Sequence, residues 1–186
     1  MATDTADTET DEVDTDEVDT TEAATAAADL HGCPSNTSTA GEALVHATPD
    51  QLIDLASALV EDGFSFLVDV TVVDYLSHPG RVDLPTGVVG ERFELVVSLL
   101  DRSDRRRLRI RVQIPESDPK VPSLFDLFPG SEAREREAFD MFGIEFENHP
   151  DPTRILMPED WVGHPLRKDY GIGSIPVQFK SSDAGR

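Results

Sequence analysis

The most constraining feature of this chain is a pair of alternating segments separated by a four-residue polar turn. In Arg92 to Leu100, Phe93, Leu95, Val97 and Leu99 fall on one face. In Arg107 to Ile114, Leu108, Ile110, Val112 and Ile114 alternate with Arg107, Arg109, Arg111 and Gln113. A period of two over that length places one face against a core, and the Asp101 to Asp104 turn joins the two as an antiparallel hairpin. The arginines of the second strand read as a solvated outer face of the sheet or as a docking face for an acidic partner. No aromatic residues interleave with them, which disfavours a nucleic-acid surface.

The flanking segments complete one α+β domain. Thr48 caps a helix with Pro49 at its first position and Gln51 closing a capping box; Leu52, Leu55, Ala56, Leu59 and Val60 recur at helical spacing, and Gly63 stops it. Phe64 to Asp74 is rich in β-branched and aromatic residues and reads as a strand. A Pro/Gly-rich loop covers 77–90. Ser123 to Phe128 reads as a short helix ended by Pro129 and Gly130, and Ser131 to Phe142 as a second helix stopped at Gly143. The expected architecture is a mixed sheet of about three to five strands with helices mainly on one face.

The two ends differ in kind. Residues 1–30 hold eleven acidic residues and no lysine or arginine, within a chain of net charge −21. Like charges repel and little apolar surface offsets chain entropy, so 1–47 is expected to be a disordered acidic tail and linker. The globular domain is expected over 48–145. Prolines at 150, 152, 158, 165 and 176 break up 146–186, which reads as an extended strap with one turn of helix near Glu159 to Trp161, packing on partner chains.

The chemistry that the chain can hold is limited. The acidic balance argues against a large nucleic-acid interface. One cysteine, Cys33, supplies neither an internal disulfide nor the four ligands of an iron–sulfur cluster. His149 and His164 lie outside any H-x-x-x-H spacing, and a metal site would need Asp140 or Asp151 to converge on them. No phosphate-cradling glycine loop or nucleophile elbow is present. No apolar run approaches the ~20 residues of a membrane span, and the start has no signal-peptide pattern. A cytosolic protein that meets a membrane only through partners is the expectation.

At 100° per residue, Glu135 falls beside Ala138, Phe139 and Phe142, while Arg136, Glu137 and Asp140 point elsewhere. A carboxylate among aromatics is costly unless paired. Glu135 is therefore expected to be buried and to meet Arg154 or Arg167; an ordinary solvated charge run is the alternative.

The block Glu135-Arg136-Glu137-Ala138-Phe139-Asp140-Met141-Phe142-Gly143-Ile144, followed by Phe146, His149-Pro150-Asp151, Arg154-Ile155-Leu156, Asp160-Trp161 and Gly163-His164-Pro165-Leu166-Arg167-Lys168-Asp169-Tyr170, strongly resembles the signature of the C (30-kilodalton) subunit of respiratory complex I. Order, identities and spacings agree over about forty residues, and the likeness extends over roughly Thr48 to Lys180. Ala133 stands where many members have tryptophan.

The resemblance implies a non-catalytic peripheral-arm subunit of NADH:quinone oxidoreductase, a translocase, on the cytoplasmic side of the cell membrane. It implies partners of the D type at the quinone site and of the iron–sulfur B and I types, with FMN and the clusters bound by those partners and none by this chain. The same resemblance makes Glu135, Arg136, Glu137, Asp140, Gly143, His149, Pro150, Asp151, Arg154, Trp161, His164, Pro165, Leu166, Arg167, Lys168 and Asp169 the family signature and the expected subunit interface. Arg167 and Lys168 are candidates for charge-assisted bonds across it. The equivalent subunit of a membrane-bound hydrogenase or F420-dependent quinone reductase, and a free-standing interaction module, remain alternatives.

Overall fold

The computed structural model describes residues 28–78, 81 and 84–171. Strands β1 (Ala28–Leu30), β2 (Cys33–Thr37) and β3 (Ala43–Ala47) precede helix α1 (Leu52–Glu61). Strands β4 (Phe66–Asp74), β5 (Phe93–Asp101) and β6 (Arg106–Ile114) follow, then β7 (Lys120–Pro122), helix α2 (Glu132–Phe142) and β8 (Glu145–Glu147). Six strands form one sheet in the order β1-β2-β3-β6-β5-β4. It is mixed: β3 runs parallel to β6, and every other pair is antiparallel. β7 and β8 form a separate parallel pair.

The register explains the core. Val72, Leu95, Val112 and Ala47 line up across four strands, and Val70, Val97, Ile110 and Val45 form the next row. All eight are buried. Leu52, Leu55, Ala56 and Leu59 of α1 pack onto the same core, as do Ala138 of α2 and Ile144 just beyond it. Each valine, leucine or isoleucine buried in this way contributes roughly 1.5–3 kcal/mol. Both helices therefore cover one face. Entry into α1 is fixed as the sequence suggests: Gln51 Oε1 accepts the backbone N–H of Thr48 at 3.0 Å and its hydroxyl at 3.1 Å.

Three expectations need correction. The sheet has six strands because the folded body begins before Thr48: β1, β2 and β3 lie in the stretch assigned to the tail and linker. β3 is a short apolar strand that joins the rest of the sheet by pairing parallel with β6, some sixty residues away, while β2 pairs along its other edge. The expected disorder of residues 1–27 lies outside the described residues. Second, Ser123 to Phe128 forms one hydrogen-bonded turn, Leu127 and Phe128 both donating to the Leu124 carbonyl, and no helix. Third, the arginine stripe of β6 divides. Arg107 and Arg109 are exposed, whereas Arg111 and Gln113 are buried beneath the segment after β4. There Glu94, fully buried on β5, accepts bonds from Arg111, Gln113 and Arg81, with the Tyr75 hydroxyl 3.3 Å from Arg111.

Residues 148–171 contain no helix or strand. One turn at Pro158 to Trp161, closed by a 3.0 Å bond, replaces the expected helical turn. This strap folds back over α2 and the sheet edge of its own chain. Residues 172–186 lie outside the described residues.

Candidate functional site

The signature residues converge where the strap meets α2, and two carboxylates organise the junction. Asp140, in the last turn of α2, is fully buried. Its Oδ2 accepts three successive backbone N–H groups, from Ile155 (3.1 Å), Leu156 (2.8 Å) and Met157 (2.8 Å). Its Oδ1 pairs with Arg154, whose guanidinium also donates to the Gly163 carbonyl at 3.0 Å. Burial alone would raise the Asp140 carboxyl; those amides and Arg154 outweigh it and hold it below the ordinary carboxylate range. The wheel placed Asp140 away from the core. It is buried because the strap lies over that side of the helix.

Gly143 ends α2 with φ 75°, a left-handed conformation that favours glycine. A β-carbon there would stand 2.7 Å from the His164 ring. That ring donates from Nδ1 to the Asp140 carbonyl at 3.0 Å and meets Phe139 edge-on at 6.3 Å. The Leu166 N–H reaches the Met141 carbonyl at 3.1 Å. Gly143, His164 and Leu166 thus fix the far end of the strap onto the helix terminus.

Asp74, at the end of β4, is the second organising carboxylate, and sequence reasoning missed it. Arg92 grips it through two bonds of 3.1 and 3.0 Å, and the Lys168 backbone N–H adds a third at 2.8 Å. Arg92 also pairs with Asp169 at 2.8 Å and with Glu116. Arg92 and Arg167 both stack on the Phe93 ring, 4.8 and 4.9 Å from its centre. Burial pushes Asp74 up, and Arg92 with the Lys168 and Leu76 amides brings it below its usual value. The detectable signal was an aspartate at the end of one strand and an arginine just before the next.

Glu135 is fully buried, but neither Arg154 nor Arg167 is its partner. It accepts the Ser123 hydroxyl at 2.6 Å and the Leu124 N–H at 2.8 Å, with His149 Nε2 3.8 Å away. His149 itself accepts the Asp151 N–H on Nδ1 and donates from Nε2 to the Glu132 carbonyl, both at 3.1 Å. Arg136 ties the start of the strap down, through the Thr153 and Arg154 carbonyls, the Thr153 hydroxyl, Glu132 and Asp151. Among the described residues, Glu137 pairs with its helix neighbour Arg134, at 3.5 Å.

The outward face of the strap is different in character. Ile155 is 40% exposed, Leu156 60%, Val162 87% and Leu166 49%. Pro150 and the Lys168 side chain are also exposed, and Trp161 and Pro165 are half-buried. Arg154 and Arg167 are turned inward as fastenings, whereas Glu159, Asp160, Lys168 and Asp169 are exposed beside these outward apolar groups.

Among the described residues, no group of three His, Cys, Asp or Glu side chains is arranged to hold a metal ion. Cys33 is buried on β2, and burial with the nearby Asp29 charge pushes its thiol up.

The family described as the respiratory-chain NADH dehydrogenase 30 Kd subunit matches residues 45–175. This chain belongs to that family. Its members include the C-type subunit of the NADH-quinone oxidoreductase of Roseiflexus castenholzii, 44% identical over 142 residues that make up 75% of each chain. The corresponding NADH-quinone oxidoreductase chain of a Nocardioides species is 40% identical over 75% of this chain, which spans only 53% of that longer relative. Among solved structures, a trypsin-resistant fragment of Nqo5 aligns with a TM-score of 0.57 and 33% identity, covering 64% of this chain and 89% of the fragment. A chain of an archaeal membrane-bound sulfane sulfur reductase shares the fold, at a TM-score of 0.56 and 22% identity over 74% of this chain. For this member of the 30 Kd family, the matched region begins inside β3 and takes in β4 to β8 and the whole described strap.

Proposed function

We propose that this chain is a non-catalytic subunit of the peripheral arm of an NADH:quinone oxidoreductase, and that its strap is the docking element. The observation that carries this reading is the strap's outward apolar face at Ile155, Leu156, Val162 and Leu166, held rigid by Asp140 and Asp74 beneath. A fixed apolar surface on a chain with no nucleotide loop suits a part that positions others.

In this reading the D-type quinone-site subunit and the B- and I-type iron–sulfur subunits are its neighbours. FMN and the clusters reside in partner chains and carry electrons from NADH to quinone, coupled to proton translocation. No helix among the described residues is long and apolar enough to cross a membrane. Attachment to the cytoplasmic side of the cell membrane therefore comes through the complex.

The test is purification of the tagged chain from detergent-solubilised membranes. The expected result is co-recovery of a D-type subunit together with NADH-dependent quinone reduction. Recovery of this chain alone from membranes that retain that activity would sink the proposal.

A further inference from the structure

Five exposed arginines crowd the end of the β5–β6 hairpin: Arg102, Arg105, Arg106, Arg107 and Arg109. Two of them hold carboxylates. Arg106 meets Asp101 at 2.7 Å and lies 3.8 Å from Asp104, and Arg109 meets Glu42 at 2.9 Å. Arg102 stands over the Phe66 ring, 5.6 Å from its centre. Among the described residues, Arg102, Arg105 and Arg107 pair with no carboxylate. Two further acids nearby are engaged elsewhere, Asp62 by His31 at 2.6 Å and Asp69 by Arg134 at 3.3 Å. Positive charge is therefore in excess at this end of the sheet, in a chain of net charge −21.

The register brings the start of β1 to the same end. Ala28 stands opposite Ser35, and Thr37, further along β2, stands opposite Ala43. The residue before Ala43 is Glu42, which touches Arg109. The chain thus enters β1 from the side of the sheet that carries the arginines. Residues 1–27 hold ten Asp or Glu and no lysine or arginine, and Ala23 to Ala27 are uncharged.

The distances fit. Ala28 lies level with Ile110, three strands away. Three strand spacings across and three residues along β6 put Arg107 roughly 17 Å from Ala28. Six residues reach at most about 21 Å, so Glu22 arrives at Arg107, and Asp19, Glu17 and Asp16 arrive with chain to spare. A tether this short holds its carboxylates near the arginines at about millimolar effective concentration, an advantage over any separate acidic chain.

We propose that residues 11–22 of this chain lie across the end of the β5–β6 hairpin and pair with Arg102, Arg105 and Arg107. The pairing goes beyond the subunit reading and does not depend on it. It closes the arginine face to other anions, and salt opens it.

The test is arginine modification by phenylglyoxal, an uncharged reagent, with rates read residue by residue by peptide mass spectrometry. The full chain is purified through a tag at its C-terminal end, with the subunits that accompany it. It is compared with a chain lacking residues 1–22 and with a full-length chain whose ten acids there are Asn and Gln. At low salt, Arg102, Arg105 and Arg107 should react about two- to tenfold more slowly in the wild type than in either variant, as expected for a few exposed ion pairs within one chain. Sodium chloride at about 0.5 M should remove the difference. Arg134, on α2, should react alike in all three. Equal rates at the three arginines in all three proteins overturn the proposal: equally fast rates mean an open face, and equally slow rates mean cover by a neighbouring subunit or anionic lipid. Faster reaction after truncation but not after neutralisation overturns the pairing by charge. None of these outcomes touches the subunit reading, which co-recovery of partners decides.

Discussion

Arg154 turns back from the strap to close on Asp140, and the next three residues donate their backbone N–H groups to the same carboxylate. One buried side chain therefore orders a segment with no regular secondary structure. Removing the carboxylate leaves three amides and a guanidinium without their acceptor. Asp140→Ala should cost about 3 kcal/mol in urea unfolding, as expected for breaking a buried pair. It should also open 151–163 to limited proteolysis. A variant with wild-type stability and a protease-resistant strap would refute this account of the fastening.

The same geometry sets a pH dependence. Asp74 and Asp140 both lie below the ordinary carboxyl value of about 3.9. Their folded forms favour the ionised state, so their contribution is complete above about pH 5 and disappears as pH falls through the lowered values. Unfolding free energy should therefore drop steeply below about pH 4. Urea titrations at successive pH values on wild type, Asp74→Asn and Asp140→Asn check this; each variant should flatten the acid limb.

Because Arg154 serves Asp140 and not Glu135, double-mutant cycles separate the two sites. Arg154→Ala with Asp140→Ala should be strongly non-additive, by about 1 kcal/mol or more. Arg154→Ala with Glu135→Gln should add within about 0.5 kcal/mol. Coupling between Arg154 and Glu135 would restore the pairing expected from the helical wheel.

Gly143 carries two constraints at once, a positive φ and the His164 ring against its Cα. Gly143→Ala should destabilise by about 2 kcal/mol, combining left-handed strain with crowding. Adding His164→Ala relieves the crowding alone, so the double variant should be more stable than the sum of the singles predicts. Thermal unfolding of the four proteins measures the difference.

The outward strap residues predict the opposite pattern. Leu156→Asp and Val162→Asp should leave the isolated chain within about 0.5 kcal/mol of wild type, because neither side chain is buried. Both should sharply reduce recovery of the membrane complex. Equal recovery with both variants would argue against the strap as the docking element.

Much of this protein was written in local pattern. The period-two segments gave β5 and β6 within a residue or so, the Thr48 to Gln51 motif gave the start of α1, and Gly143 gave the end of α2. These features depend on neighbours a few residues apart, which a single sequence displays. The burial of Glu135 was legible for the same reason.

What only the tertiary structure decided are the partners. β3 became a core strand because β6 accepts it. Arg111 is buried because a distant segment closes over Glu94, although the alternation alone placed it in solvent. Arg154 chose Asp140 over Glu135 because the strap crosses the helix on that side, and Asp74 joined the site through an amide ninety-four residues away. Periodicity states which face of an element is apolar; it does not state what covers the other face, because that depends on contacts between segments far apart in the chain.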